Sequence, residues 1–189
     1  MGTIEVITGP MFCGKSEELI RRVRRAEIAK QTVCVFKPKS DTRSKDVCTH
    51  YGLSIESIEI ESPTYEILPH EKEFQVFAID EVQFLPETIF DVVQQLRDSG
   101  KRVIVAGLDM DYSGVPFENI AQIMAVADKV KKLSAICMVC GEPATMSFRK
   151  TDEDSRVLVG DKDSYEARCR KHWDKNTTNF ELEYVSEWR

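Results

Sequence analysis

The segment Gly9-Pro10-Met11-Phe12-Cys13-Gly14-Lys15-Ser16 constrains this chain more than any other. It fits the phosphate-loop pattern G-x-x-x-x-G-K-[ST] at every fixed position. Thr3 to Thr8, just before it, is β-branched or apolar at most positions, as a buried strand is. After it, Leu19, Ile20, Val23, Ala26 and Ile28 recur at roughly helical spacing. Strand, loop and helix therefore follow in the order the motif requires. Glycines let such a loop fold around a phosphate with its N–H groups pointing inward, at the positive end of a helix. Lys15 is then placed to reach the outer phosphates of ATP, and the Ser16 hydroxyl to ligate Mg2+.

The next chemical signal is an acidic pair. Phe74-Gln75-Val76-Phe77-Ala78-Ile79 runs up to Asp80-Glu81. In phosphate-loop proteins a carboxylate at the end of a buried strand helps to hold Mg2+, which suits Asp80. Glu81 is placed to take a proton from an attacking oxygen. Alone, the pair also reads as solvated loop acids; beside a phosphate loop the functional reading is preferred.

The remaining pattern alternates. Thr32 to Phe36 reads as a second buried strand that stops at Pro38. Lys39 to Tyr51 is a polar loop carrying Asp41 and Arg43. It reads either as a ligand loop at a strand's C-terminal edge or as plain surface. Gly52 to Ile60 alternates weakly, and Pro63 and Pro69 bracket a short helix at best. Pro86 to Asp98 reads as a helix with Gly100 past its end. Arg102 to Gly107 reads as a strand, Phe117 to Ala127 as a helix and Lys129 to Leu133 as a last strand. The expected fold class is α/β, a parallel sheet with helices on both faces, over residues 1–133.

From Ser134 the composition changes. Cys137-x-x-Cys140 and Cys169-x-x-His172 are two knuckles that together supply a tetrahedral Zn2+ site. With all four positions filled by protein, the zinc is structural, and it folds a segment too small for its own core. Two strands, 144–150 and 156–160, are expected between the knuckles, so 134–175 reads as a zinc-tied lid. The tail 176–189 carries Phe180, Tyr184 and Trp188 four apart, without a settled structure. His50 and His70 belong to neither feature.

Composition sets the class. Forty-two per cent hydrophobic and 31% charged residues are those of a globular domain, and no apolar run spans a membrane. The chain starts directly into a strand, with no leader, and its six cysteines are read as thiols, so a cytoplasmic location is expected. A formal net charge of −6 argues against a nucleic-acid partner. Arg21, Arg22, Arg24 and Arg25 form a basic cluster, read as a solvated helix face or a subunit contact. Two further readings remain. One is a zinc-bearing ATPase acting on nucleic acid, which requires a basic groove. The other is a nucleotide-binding module without catalysis, which tolerates loss of Glu81.

Gly-Pro-Met-Phe-x-Gly-Lys-Ser at 9–16, Lys37-Pro38 with Asp41 and Arg43, Asp80-Glu81-Val82-Gln83-Phe84, Gly107-Leu108-Asp109 and the zinc knuckles stand in one order. Together they resemble the type II thymidine kinases, over about Thr3 to His172. The resemblance implies phosphoryl transfer from ATP to the 5′-hydroxyl of thymidine, with deoxyuridine as a second acceptor. It implies Lys15 and Ser16 for ATP and Mg2+, Asp80 for the metal site, and Glu81 as the base. Asp41 and Arg43 would lie near the transferring phosphate. Met11, Phe84, Leu108 and Tyr112 would wall the nucleoside pocket. Main-chain atoms near Leu158 and Gly160 would bond the base edge, and Ser147 and Tyr165 would add contacts from the lid. Homotetramers and feedback binding of thymidine triphosphate are further implications. Two positions depart from the family pattern. Cys13 stands where relatives mostly carry Ser, which adds a site of oxidation. His172 is Cys in some relatives, and either residue binds zinc.

Overall fold

The structure is a computed structural model and describes residues 2–49, 52–151, 156 and 163–173. Strand β1 (Thr3–Thr8) leads through the phosphate loop into helix α1 (Lys15–Ile28) and back to β2 (Val33–Pro38). A two-stranded ribbon, β3 (Val47–Cys48) with β4 (Ser54–Ile55), carries the polar loop. Next come β5 (Ile58–Ile60), the single-turn helix α2 (Pro63–Glu66), β6 (Val76–Ile79), α3 (Ile89–Asp98) and β7 (Arg102–Gly107). The α/β part closes with α4 (Glu118–Val126) and β8 (Lys129–Lys132).

Six strands form one parallel sheet in the order β5-β2-β6-β7-β1-β8. Such a sheet is dry on both faces, which is why its inner strands read as unbroken apolar runs. On one face Leu19, Ile20 and Val23 of α1 pack with Ile7, Val35, Ala78 and Ile104. On the other, Val92, Val93 and Leu96 of α3 and Ile120 and Ile123 of α4 pack with Phe36, Phe77, Ile79 and Val105. Each valine, leucine, isoleucine and phenylalanine among them contributes about 1.5–3 kcal/mol by leaving water. The edge strand β8 is exposed along its length and carries Lys129, Lys131 and Lys132. Lysines on an open edge discourage further strand pairing.

The sheet order has a consequence for the site. β7 lies between the strand bearing the phosphate loop and the strand bearing Asp80 and Glu81. All three end at the same edge, so the loop and the acids face each other across the end of β7.

Beyond β8 the chain makes a smaller lobe. β9 (Ala135–Ile136) pairs with β10 (Pro143–Ala144), and β11 (Met146–Arg149) pairs antiparallel with β12 (Tyr165–Arg168). A single-turn helix, α5 (Arg170–Trp173), follows. The single strand expected over 144–150 is thus two strands in two ribbons. The partner of β11 is Tyr165–Arg168, a segment not read as a strand from sequence. The strand expected at 156–160 lies outside the described residues except for Arg156, and so does the tail 176–189. A small cluster of Ala135, Cys137, Ala144 and Ala167 packs against Phe12 and Cys13, so this lobe rests on the phosphate loop.

Candidate active site

The phosphate loop departs from ordinary backbone where its motif demands. Gly9 has φ +142°, and a Cβ there would collide with the Leu133 carbonyl. Gly14 caps α1 at φ +84°, in the left-handed region that glycine enters without strain. Lys15 is buried, with its Nζ donating to the carbonyls of Pro10 at 2.7 Å and Gly9 at 3.3 Å. The Ser16 hydroxyl donates to Asp80 Oδ2 at 3.0 Å.

Asp80 is buried. Burial, with the Glu81 charge beside it, pushes its carboxyl up to about 7. Two oxygens 3.0 Å apart, one an acid otherwise costly to ionise there, fit adjacent positions around a hard octahedral cation such as Mg2+. Glu81 turns the chain at φ +49°, a conformation non-glycine residues adopt at a cost of about 1–3 kcal/mol. Its carboxylate is gripped on both oxygens. Arg43 Nη2 donates to Oε1, and Gln83 Nε2 donates to Oε2 at 2.6 Å. Arg43 Nε also donates to Asp41 Oδ1 at 2.6 Å. Burial works against the Arg43 charge, but the Glu81 and Asp41 carboxylates hold its pKa above the ordinary range.

Lys15, Ser16, Asp41, Arg43, Asp80 and Glu81 line one cavity of about 260 Å³. Of the residues singled out from sequence, Met11, Phe12, Cys13, Gly14, Lys15, Ser16, Asp41, Arg43, Asp80, Glu81, Phe84, Leu108, Tyr112, Ser147 and Tyr165 all border it. Gly9 and Pro10 do not, and act through the carbonyls that hold Lys15. Leu158 and Gly160 lie outside the described residues.

Several residues on or just behind the cavity wall were not anticipated. Lys37 is 1% exposed, donates to the Ser44 carbonyl and pairs with Asp41 at 3.4 Å, closing the loop after β2. A lysine at a strand end reads as surface, and Lys37 was singled out only as part of the Lys37-Pro38 motif, with no place in the site. Asp111 accepts from Ser113 and Val115 through Oδ1 and from Arg156 Nε through Oδ2 at 2.8 Å. Arg149 stacks on the Tyr112 ring, 3.7 Å from its centroid, and donates to the Tyr165 hydroxyl at 2.6 Å. A buried guanidinium thus fixes both pocket aromatics. Ser147 Oγ accepts from the Met11 N–H at 3.0 Å, tying the smaller lobe to the phosphate loop.

The knuckles converge. Cys137, Cys140 and Cys169 Sγ and a ring nitrogen of His172 lie within 4.8 Å of one another. Cys140 and Cys169 sulfurs are 3.8 Å apart, and His172 Nδ1 is 3.3 Å from Cys169 Sγ and 3.8 Å from Cys137 Sγ. A tetrahedron with zinc–sulfur bonds of about 2.3 Å has edges of about 3.8 Å, so the set fits Zn2+ with all four positions filled. Burial raises the Cys137 pKa, but N–H groups of Cys169, Cys140 and Val139 overcome it and bring the thiol down to about 6, towards the thiolate a metal needs. Trp173, one residue on, sends its indole N–H to the carbonyls of Tyr112 at 3.1 Å and Ser147 at 3.2 Å. His70 is remote, against Phe36 and Phe74.

A phosphate loop, an acidic pair beyond a neighbouring strand and a zinc-type lobe against the loop define a phosphate-loop nucleotide-binding protein. The sequence model of the family described as thymidine kinase matches residues 2–173, and the chain belongs to that family. A thymidine kinase from Rhodothermus sp. (strain ITI 518) is 53% identical over 173 residues, covering 90% of this chain and 81% of the relative. Among solved structures, domain III of the Thermotoga maritima replication initiation protein DnaA aligns at TM-score 0.41 and 15% identity, over 70% of this chain and 55% of that one. A DNA replication initiation factor aligns at 0.43 and 15%, over 69% and 40%. Neither likeness is close enough to bear on the assignment.

Proposed function

We propose that the protein transfers the γ-phosphoryl group of ATP to the 5′-hydroxyl of thymidine, with deoxyuridine as a second acceptor. The observation that carries this reading is the meeting of Glu81 with Arg43 inside the cavity bordered by the phosphate loop and by the Ser16–Asp80 pair. Glu81 takes the proton of the 5′-hydroxyl as its oxygen bonds to the γ-phosphorus. The bond from that phosphorus to the bridging oxygen breaks, and ADP leaves. Such a transfer asks the protein for positioning and charge neutralisation more than for covalent chemistry.

The loop amides of 9–16 cradle the phosphates. Lys15 exchanges the Pro10 carbonyl for a phosphate oxygen, and Arg43 stands between the base and the incoming charge. Ser16 and Asp80 hold Mg2+, which supplies charge neutralisation across the phosphates. Met11, Phe84, Leu108 and Tyr112 wall the nucleoside, with Ser147 and Tyr165 from the lid over 134–175 and the main chain near Leu158 and Gly160 on the base edge. A lid of this kind excludes water, which otherwise competes as acceptor. Zn2+ on Cys137, Cys140, Cys169 and His172 holds that lid in shape.

Thymidine triphosphate is the expected feedback ligand, since it joins the nucleoside and phosphate halves of the site in one molecule. A homotetramer in the cytoplasm completes the reading, and light scattering on the purified protein reads the assembly. Glu81→Gln tests the chemistry. ATP binding by calorimetry should persist while monophosphate formation is lost by about 10²–10⁴-fold. A variant that turns over normally removes Glu81 from the role of base.

A further inference from the structure

The buried carboxamide of Gln83 touches the acid at the centre of the site but does not border the cavity. It sits in the turn just after Glu81, 7% exposed. Its Oε1 accepts from the Leu108 N–H at 3.0 Å, and its Nε2 donates to Glu81 Oε2 at 2.6 Å. Those two partners fix which end of the amide is which. A backbone N–H can only donate, so it takes the oxygen, and an ionised carboxylate can only accept, so it takes the NH2. The third wall of the seat is Gly107, the last residue of β7. A Cβ there would stand 2.5 Å from Gln83 Oε1 and 3.0 Å from Val82 Cγ1. Gly107 has no side chain, and the amide occupies the space one would take.

We propose that Gln83 is a positioning residue. It locks the Glu81 carboxylate to the Leu108 wall of the nucleoside pocket, so that the base and the surface that seats the sugar keep one fixed separation. The inference rests on the reading of Glu81 as the base. Of the two groups gripping that carboxylate, Arg43 comes from an exposed loop and its side chain is 38% exposed. It is free to follow a phosphate. Gln83 is buried between strand ends and stays. The backbone of Glu81, in its left-handed conformation, holds only because neighbours determine it, and Gln83 is the neighbour on the side away from solvent. A positioning role of this kind is felt in the rate at saturation, because small displacements of a reacting group are costly there while binding contacts are not lost.

Three variants separate the two ends of the amide. Gln83→Glu keeps an acceptor for Leu108 and, once ionised at alkaline assay pH, replaces the donor to Glu81 by a like charge. Gln83→Met loses both. Gly107→Ala leaves Gln83 in the chain and crowds its amide out of the seat. The readouts are single-turnover transfer at saturating Mg-ATP and thymidine, thymidine affinity by calorimetry, and a thermal melt with ATP binding to establish folding. Gln83→Glu should slow transfer by roughly 10–100-fold with thymidine affinity within about threefold of the parent. Gln83→Met should slow it as much and also weaken thymidine. Gly107→Ala should slow transfer with ATP affinity intact. Gln83→Glu and Gly107→Ala transferring at the parental rate would overturn the proposal. So would a Gln83→Glu protein whose only defect is thymidine affinity. Glu81→Gln, measured alongside, keeps the two readings apart. If it is inactive while the Gln83 variants are normal, Gln83 alone is misassigned. If it is active, the base is misassigned whatever the Gln83 variants do.

Discussion

Single side chains in this molecule act through what they neutralise. Lys15 is buried on carbonyl oxygens and is the loop's one ammonium group. Its replacement by alanine should weaken ATP binding and slow transfer together, which calorimetry and a rate assay read separately. Unchanged affinity would place the phosphates elsewhere. Cys13 is a thiol on which burial acts first, raising its pKa against the lowering effect of Lys15. It is therefore a poorer nucleophile than a thiol open to solvent. Under the site, Ile79 has no exposed surface and leads directly into Asp80. Ile79→Ala should cost about 2–5 kcal/mol in a denaturant titration, from lost burial and the cavity left behind. At this scale the sequence was most readable where the motif itself names the atoms. It was least readable at Lys37 and Gln83, because burial of a polar side chain depends on partners far away in the chain.

Among the elements, α1 is held to the sheet by more than its apolar stripe. Glu18 accepts from Arg21 and Arg22 and pairs with Lys131 of β8 at 3.3 Å, while Glu5 of β1 accepts from Arg22 and Arg102. The arginine cluster is thus divided. Arg22 turns inward to this network, and Arg24 and Arg25 remain exposed. The Arg21 guanidinium, with Arg22 and Lys131, outweighs burial and holds the Glu18 carboxyl down to about 2. A carboxyl lowered from 4.5 stabilises the folded state above its unfolded value, and that stability is lost as pH falls from about 4.5 towards 2. Glu18→Gln should therefore flatten the loss of melting temperature over that interval, and an unchanged acid slope would deny the network its role.

The smaller lobe works as an element too. Trp173 carries the zinc helix onto the Tyr112 and Ser147 carbonyls, and Ser147 onto Met11. Chelation of the metal should lower the melting temperature and weaken thymidine binding more than ATP binding, with about one zinc per chain recovered by elemental analysis. Equal thymidine affinity after metal loss would detach the lobe from the pocket.

At the scale of the whole molecule, the alternation of apolar runs and helical stripes announced a parallel sheet. The order β5-β2-β6-β7-β1-β8 was not written in any local pattern. It arises from which faces the crossovers bury, and it inserts β7 between the loop and the acids. The four knuckle residues were read correctly as one cluster, because ligand spacing is a local signal. The strand expected over 144–150 divides between β10 and β11, and Tyr165–Arg168 escaped because its alternation, Tyr-Glu-Ala-Arg, runs for only four residues. All described residues considered, no helix is long and apolar enough to cross a membrane. The cavity, the strained Glu81 and the zinc-type lobe converge at one edge of one sheet, where the proposed reaction would use all three.

That reaction is tested by incubating the purified protein with Mg-ATP and each deoxynucleoside in turn and separating the products. Thymidine should yield its 5′-monophosphate with one ADP formed for each, deoxyuridine should be accepted as well, and purine deoxynucleosides should stay unmodified. ADP released without any nucleoside monophosphate, or equal phosphorylation of purine and pyrimidine nucleosides, would contradict the assignment of this site to thymidine.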